Sequence, residues 1–175
     1  SGLIGSGRVE HMTATAVADT FRFFPEYMLT RAKTFDMKPD SDGRFPVLKA
    51  QDVDIQWLTD EDEWYAMNSK GKEFSMFGNN TSMDGTLILQ PDKMKGQGEV
   101  NTADARITSE TFSFGPMSFE ADTSDYYLRA LKGYGYGFVA SDVNTHVDFA
   151  TQKASFRLNT DSSFVVLPGI EYISK

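Results

Sequence analysis

The residues able to do chemistry in this chain are 25 acids, 17 basic side chains and two histidines, with no cysteine at all. The absence of cysteine removes disulfides, thiol nucleophiles and thiolate metal sites together. The densest carboxylate run, Asp60-Glu61-Asp62-Glu63, supplies hard oxygens of the kind that hold calcium. It stands between two apolar runs, Val53 to Trp57 and Trp64 to Met67, and therefore reads first as a solvated hairpin turn and only second as a metal site. Asp40-Ser-Asp42-Gly43 begins like a calcium loop but lacks the later acidic ligand. His11 and His146 share no metal-ligand spacing and read as surface or turn residues.

Gly2-Leu-Ile-Gly5-Ser-Gly7 lacks the strand before and the helix after that a phosphate cradle requires. Its glycines are expected to permit a tight corner instead. No nucleophile elbow is present, and among so many acids no pair is singled out for glycosidic work. The reading is therefore non-enzymatic, with no catalytic residue and no cofactor. The remaining candidates are Tyr134 and Tyr136 in Gly133-Tyr-Gly-Tyr-Gly137, a loop that could present rings to a sugar or a partner surface. Asn79 and Asn80 each open a glycosylation sequon.

Charge narrows the partners. A net charge of −8 disfavours nucleic acid and anionic membrane surfaces. No stretch approaches the roughly 18 to 20 consecutive apolar residues of a spanning helix.

These residues are positioned by a sequence that repeats itself. Gly5-Ser-Gly-Arg-Val9 returns as Gly96-Gln-Gly-Glu-Val100, and Thr20-Phe-Arg-Phe-Phe-Pro25 returns as Thr111-Phe-Ser-Phe-Gly-Pro116, both 91 residues on. Eight of the 24 aligned positions from Gly5 to Met28 are identical. Two pseudo-repeats are expected, residues 1–83 and 84–175. The run Asp84 to Pro91 leading into the second copy has no counterpart before the first, so the chain reads as a fragment that starts within a unit of a longer protein.

Period-two alternation runs through both copies. Ala14, Ala16 and Ala18 share one face, and Phe21 and Phe23 then carry the apolar face in opposite phase, which predicts a bulge or tight turn between Ala18 and Phe21. Val53 to Trp57 with Trp64 to Met67 reads as a hairpin, and Val147 to Phe149 with Phe156 to Leu158 as its second copy. Turns are expected at Pro39 to Gly43, Gly78 to Asn80, Asp84-Gly85 and Gly133 to Gly137. Tyr126 to Leu131 fits either a short helical turn or a strand. The fold class is all-β: short antiparallel strands in a sandwich, a jelly roll or stacked solenoid sheets.

The Gly-x-Gly-x-Val opening, the Thr-Phe-x-Phe strands and Phe119-Glu-Ala-Asp122 resemble the strand patterning of bacterial envelope proteins of the lipopolysaccharide-transport and AsmA-like kind, and of large exported β-repeat proteins of Bacteroidota. The resemblance implies a periplasmic or surface location, a stacked sheet and a groove for acyl chains. It carries no site residue over. The function expected is a structural repeat module of an envelope or surface protein, with neighbouring repeats of the same chain as partners and lipid or glycan as candidate ligands. A carbohydrate- or protein-binding β-sandwich is the alternative. A unit excised from an array is also expected to associate end to end.

Overall fold

The computed structural model describes residues 2–78, 81–130, 135–160, 164–167 and 170–173, with side chains up to residue 160. The described chain is all strand and turn, with no helix. The strands are β1 (Leu3–His11), β2 (Ala14–Phe23), β3 (Tyr27–Met37), β4 (Leu48–Leu58), β5 (Glu63–Met67), β6 (Phe74–Met76), β7 (Thr81–Leu89), β8 (Met94–Asn101), β9 (Ala105–Phe114), β10 (Ser118–Arg129), β11 (Tyr136–Asp148), β12 (Lys153–Leu158), β13 (Phe164–Leu167) and β14 (Ile170–Ile173). Twelve of them form one antiparallel meander in the order 1-2-3-4-5-7-8-9-10-11-13-14. Two strands lie beside this path. β6 continues the place of β5 between β4 and β7, and β12 pairs with β11.

Instead of two separate sheets, one sheet is creased across its middle. Along β3 the buried residues are Met28, Thr30 and Ala32, after which the phase changes to Phe35 and Met37. The same change occurs in β2 between Ala18 and Phe21, in β4 between Ala50 and Val53, and in β9, β10 and β11. The bulge expected at Ala18/Phe21 is present: Gly5 pairs with Phe21 but Gly7 with Ala18, so β2 carries one extra residue.

Where the phase does not change, a side chain would point into the inner corner of the crease, and there the residues are Gly85 and Gly98, paired face to face. A Cβ on either would collide with the opposing backbone, at the Gln97 or Asp84 carbonyl oxygen. The Asp84-Gly85 turn expected from the sequence is therefore corrected: the pair lies inside β7, and its glycine serves close backbone approach rather than chain reversal. Residues 83 and 84, where the two pseudo-repeats were expected to meet, lie within this strand.

The creased sheet closes over its own apolar face. Phe35 in the lower half of β3 lies 6.3 Å from Trp64 in β5, and Phe77 after β6 lies 6.3 Å from Phe119 in β10 and 4.6 Å from Phe149 after β11. Small residues in one layer, Ala14, Ala16 and Ala105, accommodate the large rings of the other, Trp64, Phe21, Phe112 and Phe119, all fully buried. Crease hydroxyls hold carbonyls that the irregular backbone turns inward. Thr30 donates to the Thr20 carbonyl (2.7 Å), Ser109 to that of Thr123 (2.6 Å), and Ser124 to that of Val143 (2.9 Å).

The expected hairpin of Val53 to Trp57 with Trp64 to Met67 forms, with Trp57 opposite Trp64; the second is corrected in register, because Phe156 to Leu158 pairs with Val143 to Thr145, while Val147 pairs with Ala154 and Phe149 enters the turn. Tyr126 to Arg129 is strand, continuing β10. Tyr136 is also corrected: it opens β11 and pairs with Arg129 instead of standing in a loop.

Candidate functional site

Residues of β2 to β5, with Thr86 of β7, line an open cleft of about 840 Å³ over the upper half of the sheet. Leu29, Tyr65 and Met67 give it an apolar floor, and Met67 is 51% exposed. Its rim is charged and mutually paired. Arg31 donates twice to Asp54 (3.0 and 3.1 Å) and once to the Ser69 hydroxyl (2.7 Å); Lys33 lies 2.7 Å from Asp19; Lys72 donates to Asp52. The Lys72 ammonium beside Asp52 holds its carboxyl below the usual carboxylate range. Asp52 is therefore an anion at neutral pH and no proton donor. The cleft thus sets an apolar floor beside charged side chains.

The acidic run does not converge. Asp60, Glu61 and Asp62 form the β4–β5 turn, with Asp62 in the left-handed region (φ 55°). Asp62 turns to His11 Nε2 at 2.8 Å. Glu63 instead accepts from Tyr65 (2.8 Å) and Gln90, and these two donors hold its carboxyl below the usual range. Among the described residues no three acid or histidine side chains are grouped as metal ligands.

His11, expected as a surface or turn residue, is a further correction. It ends β1 with its side chain mostly covered, 5.0 Å from the Trp57 ring and 5.6 Å from Trp64, so it packs the mouth between the layers. Only the fold brings residues 11, 57 and 64 together, and no spacing could have announced it. His146 is half-exposed, 3.4 Å from Glu120.

Of the tyrosine pair, Tyr134 lies outside the described residues, as do Asn79 and Asn80. Tyr136 sits 5.2 Å from Tyr127, over which the Arg106 guanidinium stacks at 5.0 Å. Arg106 donates to Glu99 (2.6 Å), and Glu99 with Tyr136 holds the guanidinium above its ordinary value. Burial works against charge on Glu99, but hydrogen bonds from Asn101 and Arg106 outweigh it and lower that carboxyl. The result is a part-exposed aromatic and cationic platform of five residues. No family model matches the chain, and neither curated proteins nor solved structures give a match.

Proposed function

We propose that this chain is a non-enzymatic structural module made of two pseudo-repeats, whose task is to continue an antiparallel sheet among like units in a larger envelope or surface protein. The observation that carries the reading is register. All seven residue pairs of β8 with β9, from Met94↔Phe114 to Asn101↔Arg106, recur in β1 with β2 at positions 91 lower, including the bulge at Gly96/Gly98 and Gly5/Gly7. Details off the ladder agree. Phe24 N–H donates to the Tyr27 carbonyl and Gly115 N–H to that of Ser118, both at 2.8 Å. Asp52 and Asp142 both adopt left-handed backbone (φ 53° and 54°), and each carbonyl accepts from a residue 17 positions on, Asp52 from the Ser69 hydroxyl and Asp142 from the Asn159 backbone N–H.

The phenylalanine rows support a scaffold role rather than a lipid trough, because Phe21, Phe112, Phe114 and Phe119 are sealed in the core. The envelope setting rests on the resemblance of strand patterning alone. A second reading, binding of a glycan or peptide, is favoured by the Tyr127–Arg106–Tyr136 platform; glycan or peptide binding lost on Tyr136→Ala would select it.

Segment exchange tests the structural reading. Replacing residues 94–128 by a copy of 3–37 should leave a folded all-β chain with one cooperative melt. The same copy inserted one residue out of register, which turns every buried side chain outward, should not fold. Equal failure of both chains overturns the equivalence of the halves.

A further inference from the structure

β1 ends the sheet, and β2 is its only strand partner among the described residues. Its match within the chain, β8, has β9 on one side and β7 on the other. We propose that the free edge of β1 is a docking edge for an antiparallel polypeptide strand of β7 type, with glycine facing Gly7 and leucine facing Gly5. The inference rests on the pseudo-repeat reading and names the partner of that edge.

Three observations on β1 point to an occupant. Gly7 holds φ +114°, close to the +135° of Gly98, a backbone region nearly closed to other residues. At Gly98 the opposing strand accounts for it, since a Cβ there would meet the Asp84 carbonyl. At Gly7 a Cβ would meet nothing within 4 Å, so the same special backbone is kept with no opposing strand to require it. Leu3 is 73% exposed, whereas Met94 at the matching place in β8 is fully buried. A Cβ at Gly5 would meet only the Phe23 ring, at 3.5 Å, whereas one at Gly96 would collide with the Phe114 ring (2.8 Å) and press on Leu87 (3.2 Å).

The β7–β8 register dictates the incoming strand. Gly85 faces Gly98, Leu87 faces Gly96 and Leu89 faces Met94, so an occupant of β1 sets glycine against Gly7 and apolar residues against Gly5 and Leu3. Charge improves on the template. Asp84 faces Glu99 in the existing pair, but the matching place in β1 is Arg8, so an acid one residue before the incoming glycine gains a cation. Strand addition of this kind takes its affinity from main-chain hydrogen bonds and its selectivity from alternate side chains.

The probe is a synthetic peptide of Thr81 to Leu89, with lysines appended for solubility, added to the intact chain and followed by amide exchange and fluorescence anisotropy. Saturable one-to-one binding with new protection at residues 4–10 is expected. A Gly85→Val peptide should lose binding, and Leu3→Lys in the chain, which removes the exposed leucine that a docked strand would cover, should weaken it about tenfold or more. No protection of β1 up to millimolar peptide, or equal binding by the Gly85→Val peptide, overturns the proposal. So does self-association that protects β1 without peptide, which would make a second copy the occupant. Cross-strand contacts between Gly5 and Phe21 in the same samples separate the two failures. If that register holds and the peptide does not bind, the docking edge alone falls; if it is absent, the pseudo-repeat reading falls with it.

Discussion

Gly98 and Gly7 have the same kind of backbone and different surroundings, so they separate strain from crowding. Gly98→Ala suffers both the unfavourable φ and the collision with Asp84; Gly7→Ala suffers the φ alone. Chemical denaturation should show the first substitution costing about 2 kcal/mol more than the second. Equal costs would mean that β7 and β8 do not approach as described. Ser124 gives a second residue-scale expectation. Its hydroxyl donates to the Val143 carbonyl and lies 2.8 Å from the Thr145 hydroxyl, all within the core. Ser124→Ala leaves buried acceptors unsatisfied and should cost about 1–3 kcal/mol, whereas an equally conservative change at exposed Ser41 should cost next to nothing. Residues of this sort are only partly legible in a sequence. The phase change from Ala18 to Phe21 was visible because period two makes any slip conspicuous. Asp-Gly at 84–85 misled because the same dipeptide serves hairpins and close backbone approach alike.

At the scale of elements, the crease converts ordinary amphipathic strands into two layers. Each strand's alternation announced its own buried face, but not which face of which strand it would meet. The encounter of His11 with Trp57 and Trp64, and the cleft assembled from five strands, depend on how far the sheet folds back. Tyr136 was misplaced because three glycines around two tyrosines read as a loop, while pairing with β10 carries the strand through to that position. Electrostatics at this scale has a definite sign. The Glu99 carboxyl between Asn101 and Arg106 is lowered in the folded chain. The stability it contributes is present above its unfolded pKa, about 4.3, and is lost as pH falls through the lower folded value. Acid titration of the unfolding midpoint should therefore show a smaller loss between about pH 5 and pH 3 in Glu99→Gln than in the parent chain. An unchanged titration would remove the carboxylate from the β8–β9 ladder's support.

At the scale of the molecule, one apolar cluster runs from Ala14 to Val147, drawing on residues both before and after position 84. The halves share a core through Phe77, which reaches Phe119 and Phe149, so heat should unfold the chain in one transition; two resolved transitions would show independent modules. The most direct measurement is residue-resolved amide hydrogen exchange of the intact chain. Two equivalent halves creased alike predict that protection in β2, β3 and β4 recurs in β9, β10 and β11 at 90 to 91 residues' distance, with weak points at residues 19–20 and 51–52 matched at 110–111 and 141–142. Protection confined to one half, or weak points with no counterpart at that spacing, would contradict the account.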